Sequence, residues 1–110
     1  MNVQELIEKT GWSCATQKAS LDRTVNGAFC GDLLSWVMGN GEPEQAWITV
    51  QVHMNVIGVA SLREFSCIII ADHAVLAEDI IARADEEDIP VIESGLPVYE
   101  TAKKLVELGI

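Results

Sequence analysis

The chain has 110 residues, 17 acidic against seven basic, for a net charge of −10, and is 49% hydrophobic and 22% charged. That length and balance suit a single domain over residues 1–110, large enough to bury a core without metal or disulfide staples. The basic residues are scattered and the apolar runs are short. This argues against nucleic acid or an anionic membrane as partner and excludes the run of roughly 20 apolar residues that a bilayer span needs.

The first residues predict a helix. Asn2 can cap it, Glu5 stands at the capping-box position, Val3, Leu6 and Ile7 share a face, and Gly11 ends it. This start is polar and acidic, without the basic head and apolar middle of a signal peptide, so a cytoplasmic location is expected. Residues 12–27 show no clear period. A short strand over 24–30 is expected to be broken at Asn26-Gly27, a pair that favours tight turns. Leu33, Leu34, Val37 and Met38 then recur at helical spacing behind Asp32, a plausible cap, and Gly39-Asn40-Gly41 with Pro43 stops the helix.

From residue 46 the chain alternates. A strand over 46–52 contains Trp47, Ile48, Thr49 and Val50, residues that favour pleated structure. Asn55 can cap a short helix through Leu62. Residues 66–71, with Ile68, Ile69 and Ile70, form a continuous apolar run of the kind buried on both faces of a parallel sheet. Leu76, Ala77, Ile80, Ile81 and Ala84 mark an amphipathic helix, residues 89–92 a last strand entered near Pro90, and Val98, Ala102, Leu105 and Val106 a closing helix with Pro97 near its start. Strand–helix repeats of this length imply parallel strands. The expected fold class is α/β, a layered α/β/α sandwich with a mainly parallel central sheet.

Ligands of open parallel sheets gather beyond the carboxyl ends of the strands. The predicted strand tips carry Gln51, His53 and Asn55, then Asp72 and His73, then Glu93, Ser94 and Gly95. Gln51, His53, Asn55, Asp72, His73 and Ser94 are the candidate ligand-binding residues, because helix starts beside them offer free N–H groups and partial positive charge. The same residue types are also what strand-to-helix turns use as caps, and both readings stand on sequence alone.

No catalytic motif is present: GxSxG, GxxxxGK[ST] and GxGxxG are all missing. His53, Asp72 and His73 lack a known metal spacing, and no cofactor is expected. Cys14, Cys30 and Cys67 are odd in number and widely spaced, and buried free thiols are the expectation. The run Asp85-Glu86-Glu87-Asp88 reads either as a solvated face or as a docking patch for a basic partner. Trp36 lies off the apolar face of its helix, where it can anchor a homodimer.

Two stretches carry a resemblance: Gly31-Asp32-Leu33-Leu34-Ser35-Trp36-Val37-Met38, and the run from Ala46 to Leu62 that includes Trp47-Ile48-Thr49-Val50-Gln51-Val52-His53-Met54-Asn55. With the acidic helix, the strand at Ile89-Pro90-Val91-Ile92 and the helix end from Leu105 to Ile110, the chain from Gly27 onward resembles the DRTGG-domain family, in particular its stand-alone members. The resemblance implies a fold similar to the N-terminal domain of HPr kinase/phosphorylase. It also implies a non-catalytic regulatory or sensory role, since similar domains accompany nucleotide-binding CBS pairs in some pyrophosphatases and occur in phosphotransacetylases. Stand-alone members often have genes beside iron-only hydrogenase genes, which implies a redox or hydrogenase protein partner as the alternative. The chain departs from the family where members carry Gly-Asp-Arg and Thr-Gly-Gly. Here those places hold Gln51-Val52-His53 and Ala71-Asp72-His73.

Overall fold

A computed structural model describes all 110 residues. In chain order the elements are α1 (Val3–Thr10), β1 (Ser13–Cys14), β2 (Gly27–Cys30), α2 (Leu34–Asn40), β3 (Gln45–Thr49), α3 (Asn55–Leu62), β4 (Cys67–Ile70), α4 (Glu78–Glu86), β5 (Val91–Glu93) and α5 (Val98–Glu107). The five strands form one sheet in the order β1-β5-β4-β3-β2. Strands β2 to β5 run parallel, and β1 pairs antiparallel with β5 at one edge.

Alternation along the strands divides the core into two layers. Trp47, Ile68, Ile70 and Val91 face α2, α3 and α4, packing with Val37, Val56, Ile57, Ala60, Ile80 and Ala84. Ala46, Ile48, Cys67, Ile69 and Ile92 face the other way, onto Val3 and Leu6 of α1 and Leu105 of α5. The Ile-rich strand is thus buried on both faces, as its unbroken apolar run requires. The fold is an α/β sandwich with a mostly parallel sheet. No helix is long and apolar enough to cross a membrane.

The expected capping box closes α1. Oδ1 of Asn2 accepts the Glu5 amide at 2.9 Å, and Oε1 of Glu5 accepts the Asn2 amide at 3.1 Å. At the other end Gly11 takes the left-handed conformation, φ 72°, and donates its N–H to the Ile7 carbonyl.

Several expectations are corrected. Asn26-Gly27 makes no turn: Gly27 is extended at φ 159° and opens β2, in register with Gln45. Asp32 does not cap α2, whose N-cap is Leu33 without a side-chain bond; its carboxylate reaches β3 instead. Strand β3 stops at Thr49, short of Val52, because Asp32 takes the Val50 amide that would have continued the ladder. Asn55 is the first residue of α3 and does not cap it with its side chain. Of the three thiols only Cys67 is buried; Cys14 is half-buried, and Cys30 is exposed at the end of the edge strand β2. The acidic run is more than a solvated face. Asp85 accepts the amides of Gln17, Lys18 and Ala19, and Asp88 accepts that of Ser20, so α4 pins the segment after β1.

Candidate functional site

Because β3, β4 and β5 are parallel neighbours, Thr49, Ile70 and Glu93 end at one edge of the sheet. All six sequence candidates follow those ends. The loops after β2, β3 and β4 leave toward the same face, into α2, α3 and α4, whereas the loop after β5 crosses to the opposite face, into α5. Successive connections therefore diverge only between β4 and β5. Divergence of this kind leaves an opening at the carboxyl edge of a parallel sheet.

A crevice of about 430 Å³ occupies that position. Ile70 and Glu93, register partners on β4 and β5, form its floor. His73, Ala74 and Val75 make one wall, Ser94 and Gly95 another, and Gly11, Trp12 and Ser13 close the remaining side where α1 passes into β1. Ser13 is in register with Glu93, so the short antiparallel strand brings the Trp12 turn to the crevice. The volume falls in the ordinary range for small-molecule sites, roughly 300–1,000 Å³.

Backbone conformation is unusual here. Asp72 and His73 are successive non-glycine residues in the left-handed region, at φ 56° and 60°. Asp and His tolerate that region better than most side chains, yet each such residue still costs about 1 kcal/mol or more. Two bonds hold the turn: the Asp72 amide donates to the Leu96 carbonyl at 2.8 Å, and the Ala74 amide to that of Ala71 at 3.1 Å. Gly95, at φ 68°, faces the imidazole. A Cβ there would lie 3.6 Å from Cε1 of His73.

The structure brings His73 and Ser94 together in the crevice. Ser94 is committed to shaping it: Oγ accepts the Leu96 amide at 3.2 Å and pairs with Oγ1 of Thr101 at 2.8 Å. Asp72 lies in the adjoining exposed turn and does not line the crevice. Gln51 and His53 are engaged within their own loop. Oε1 of Gln51 accepts the Val52 and His53 amides at 3.2 and 3.3 Å, and Nδ1 of His53 accepts the Asn55 amide at 3.0 Å, filling the capping role expected of Asn55. Asn55 lines a separate groove of about 710 Å³ between α2, α3 and α4, with Leu34, Met38, Met54, Gly58 and Leu62.

Trp12 and Ser13 were not foreseen, because they lie in the stretch without periodicity. Glu93 was visible as a strand-tip residue but was not singled out. No Lys or Arg lines the crevice. The ion pairs of the chain, Arg23–Asp88 at 3.9 Å and Arg83–Glu87 at 3.2 Å, leave the Glu93 carboxylate uncompensated.

Fold and crevice together define a class: a small α/β sandwich with a mouth where two neighbouring parallel strands send their chains to opposite faces. No protein-family model matches the chain, and no curated protein matches it either.

Proposed function

We propose that the chain is a non-catalytic regulatory or sensory binding domain whose small ligand occupies the β4–β5 crevice. One observation carries this reading: the only divergence of the strand connections coincides with a crevice of ligand size lined by Trp12, His73, Glu93 and Ser94. Ile70 supplies an apolar floor, and Glu93 and His73 supply hydrogen-bonding groups. The resemblance to DRTGG domains points to a nucleotide. Of a nucleotide, the crevice suits the base, since no cation lines it to hold phosphate. Titration of the ¹⁵N-labelled 12.0 kDa protein with a panel of nucleosides, nucleotides and metabolites tests the reading. Amide shifts at residues 11–13, 73–75 and 93–95 are expected for at least one compound. Absence of binding across the panel, or shifts confined to another surface, overturns it.

A second reading has its own support. Helices α2 and α3 contain no charged residue in a chain of net charge −10. Beside their groove Leu33, Trp36 and Leu62 are 67%, 61% and 64% exposed. The only charges lining the groove, Arg83 and Glu87, neutralise each other, and a face without net charge is where two copies of an acidic molecule meet with least repulsion, so this reading commits to a second copy as occupant. Sedimentation equilibrium is expected to show a dimer that Trp36→Lys dissociates. A monomer at every concentration removes the reading and leaves the crevice untouched.

A further inference from the structure

We infer that two copies of the chain join along the open edge of their sheets, β2 against β2 in antiparallel register, with Trp36 of each copy beside the seam. This rests on the reading that a second copy associates, and it names the seam and the register, which that reading leaves open. The two edges of the sheet differ. At one edge β1 is only two residues long, a strand that gives another chain little to pair with. At the other, β2 lies open over Gly27-Ala28-Phe29-Cys30, without a charge, a proline or a covering strand. The Gly31 amide donates to the Ile48 carbonyl at 3.2 Å. The alternation of a strand therefore turns the backbone of Phe29 toward β3 and turns the N–H and C=O groups of Ala28 and Cys30 outward. No hydrogen bond outside the ladder involves either backbone, and both residues are exposed.

The outer flank of α2 continues this edge. Leu34, Ser35 and Met38 line the groove toward α3, and Val37 is buried against the sheet. At about 100° per residue, Leu33, Trp36 and Asn40 fall on the other side of α2, away from α3. Helix α3 lies inward, joining β3 to β4, so that side of α2 borders the open edge. Charge selects the occupant. From Gly27 to Asn40 the only charged side chain is Asp32, and its carboxylate is taken by Thr49 and Val50. In a chain of net charge −10 this strip lets two copies approach without opposing charges, and antiparallel pairing makes one strand its own complement. The register follows from the free groups. The Asn26 amide is spent on the Glu44 carbonyl, so Ala28 and Cys30 are what each strand can offer. Setting Ala28 of each copy opposite Cys30 of the other pairs every one of their outward groups, places Phe29 on the twofold axis and joins the two sheets into one.

A cysteine cross-link reads the register. In this pairing residues 28 and 30 of opposite copies face each other with Cα atoms about 5.5 Å apart, within reach of a disulfide, whereas the two Cys30 residues stand diagonally at about 7–8 Å. Both positions are exposed, so Ala28→Cys spares the core. Oxidised with copper phenanthroline at a concentration where sedimentation shows the dimer, Ala28→Cys is expected to give a covalent dimer linked 28 to 30, while the parent cross-links far less. In the parent, the Ala28 and Cys30 amides are expected to exchange with solvent about tenfold more slowly in the dimer than in the dilute monomer. A dimer whose Ala28 and Cys30 amides exchange freely, and whose Ala28→Cys variant stays uncross-linked, overturns the edge seam and leaves the second-copy reading standing on another face. Cross-linking of Cys30 to Cys30 in the parent as readily as of 28 to 30 in the variant overturns the register. A monomer at every concentration removes the seam and the second-copy reading together.

Discussion

The hydroxyl of Thr49 donates to Oδ1 of Asp32 at 2.7 Å, and the same oxygen accepts the Val50 amide at 2.8 Å. Thr49 is fully buried at the end of β3, while Asp32 belongs to the loop after the neighbouring strand β2. One carboxylate thereby ends a strand, satisfies a buried hydroxyl and locks two strand-tip loops together. The Gln51 amide returns to Oγ1 of Thr49 at 3.0 Å, extending the lock into the loop that precedes α3.

Asp32→Ala leaves the buried Thr49 hydroxyl without its acceptor and frees the Val50 amide. The expected loss is about 1–3 kcal/mol, the range for orphaning a buried donor. Asp32→Asn keeps an acceptor oxygen in the same place and is expected to lose less. Urea unfolding of the two variants against the parent measures the difference. Equal stability of Asp32→Ala and the parent would contradict the role assigned to this carboxylate.

The fold was legible because the signals for its elements are local. An unbroken run of isoleucines can only be satisfied by burial on both faces, and Asn2 with Glu5 encode a capping box within four residues. What escaped depends on contacts between distant segments. An aspartate ahead of a helical pattern looks the same whether it caps that helix or reaches across to Thr49, and Asp32 does the latter. A two-residue strand has no readable alternation, so β1, and with it the place of Trp12, was invisible. The strand-tip rule located the right edge of the sheet. It could not tell His73, which lines the crevice, from His53, which spends its Nδ1 on the Asn55 amide.

The acidic run supplies a pH-dependent contact. Asp85 receives the amides of Lys18 at 2.7 Å, Ala19 at 2.9 Å and Gln17 at 3.2 Å. Desolvation pushes its carboxyl upward, but those three amides and the Lys18 charge together outweigh it and hold the group below its ordinary value of 3.8. A depressed folded pKa means that the unfolded chain binds the proton more readily. The stabilisation is therefore present above pH ~4 and is lost as pH falls through the folded value. Asp85→Asn is expected to be less stable than the parent by about 1 kcal/mol at pH 7, a figure reduced for the partial exposure of the site. The gap should narrow as pH falls below about 4. Urea midpoints between pH 7 and 2.5 check this, and a gap independent of pH would refute it.

The three thiols should separate by reactivity. Cys67 is fully buried, and burial first, with the neighbouring Cys14 second, pushes its thiol up to about 12. It is expected to resist alkylation at pH 8 until the chain unfolds, since the thiolate is the reactive form. Cys30 is exposed and should react in the native state, but slowly, because desolvation and then the Asp32 charge both raise its thiol. Asp32→Asn removes that charge and should accelerate Cys30 alkylation without exposing Cys67. Quenched iodoacetamide labelling read by mass spectrometry resolves the sites. Rapid native labelling of Cys67 would contradict the assigned burial.

Two glycines at the C-terminal end of α2 should answer the same substitution with opposite signs. Gly39 lies within the helix, and a Cβ there meets nothing within 4 Å, so Gly39→Ala is expected to stabilise by about 0.5–1 kcal/mol through reduced chain entropy and better helix propensity. Gly41 has an ordinary backbone, φ −68° and ψ 150°, so conformation alone would permit alanine there too. Space does not. A Cβ at Gly41 would stand 2.8 Å from Cε1 of Phe65 and 3.0 Å from the Val37 carbonyl oxygen. Phe65 cannot swing aside, because it is fully buried with its ring 5.6 Å from that of Trp47, and the carbonyl belongs to the bond that closes the helix. Gly41→Ala is therefore expected to cost about 1–3 kcal/mol, the range for overpacking, and to lower Tm by several degrees while Gly39→Ala raises it. A pair of thermal melts decides it; an unchanged Tm for Gly41→Ala would mean that the ring and the helix end yield to the methyl group.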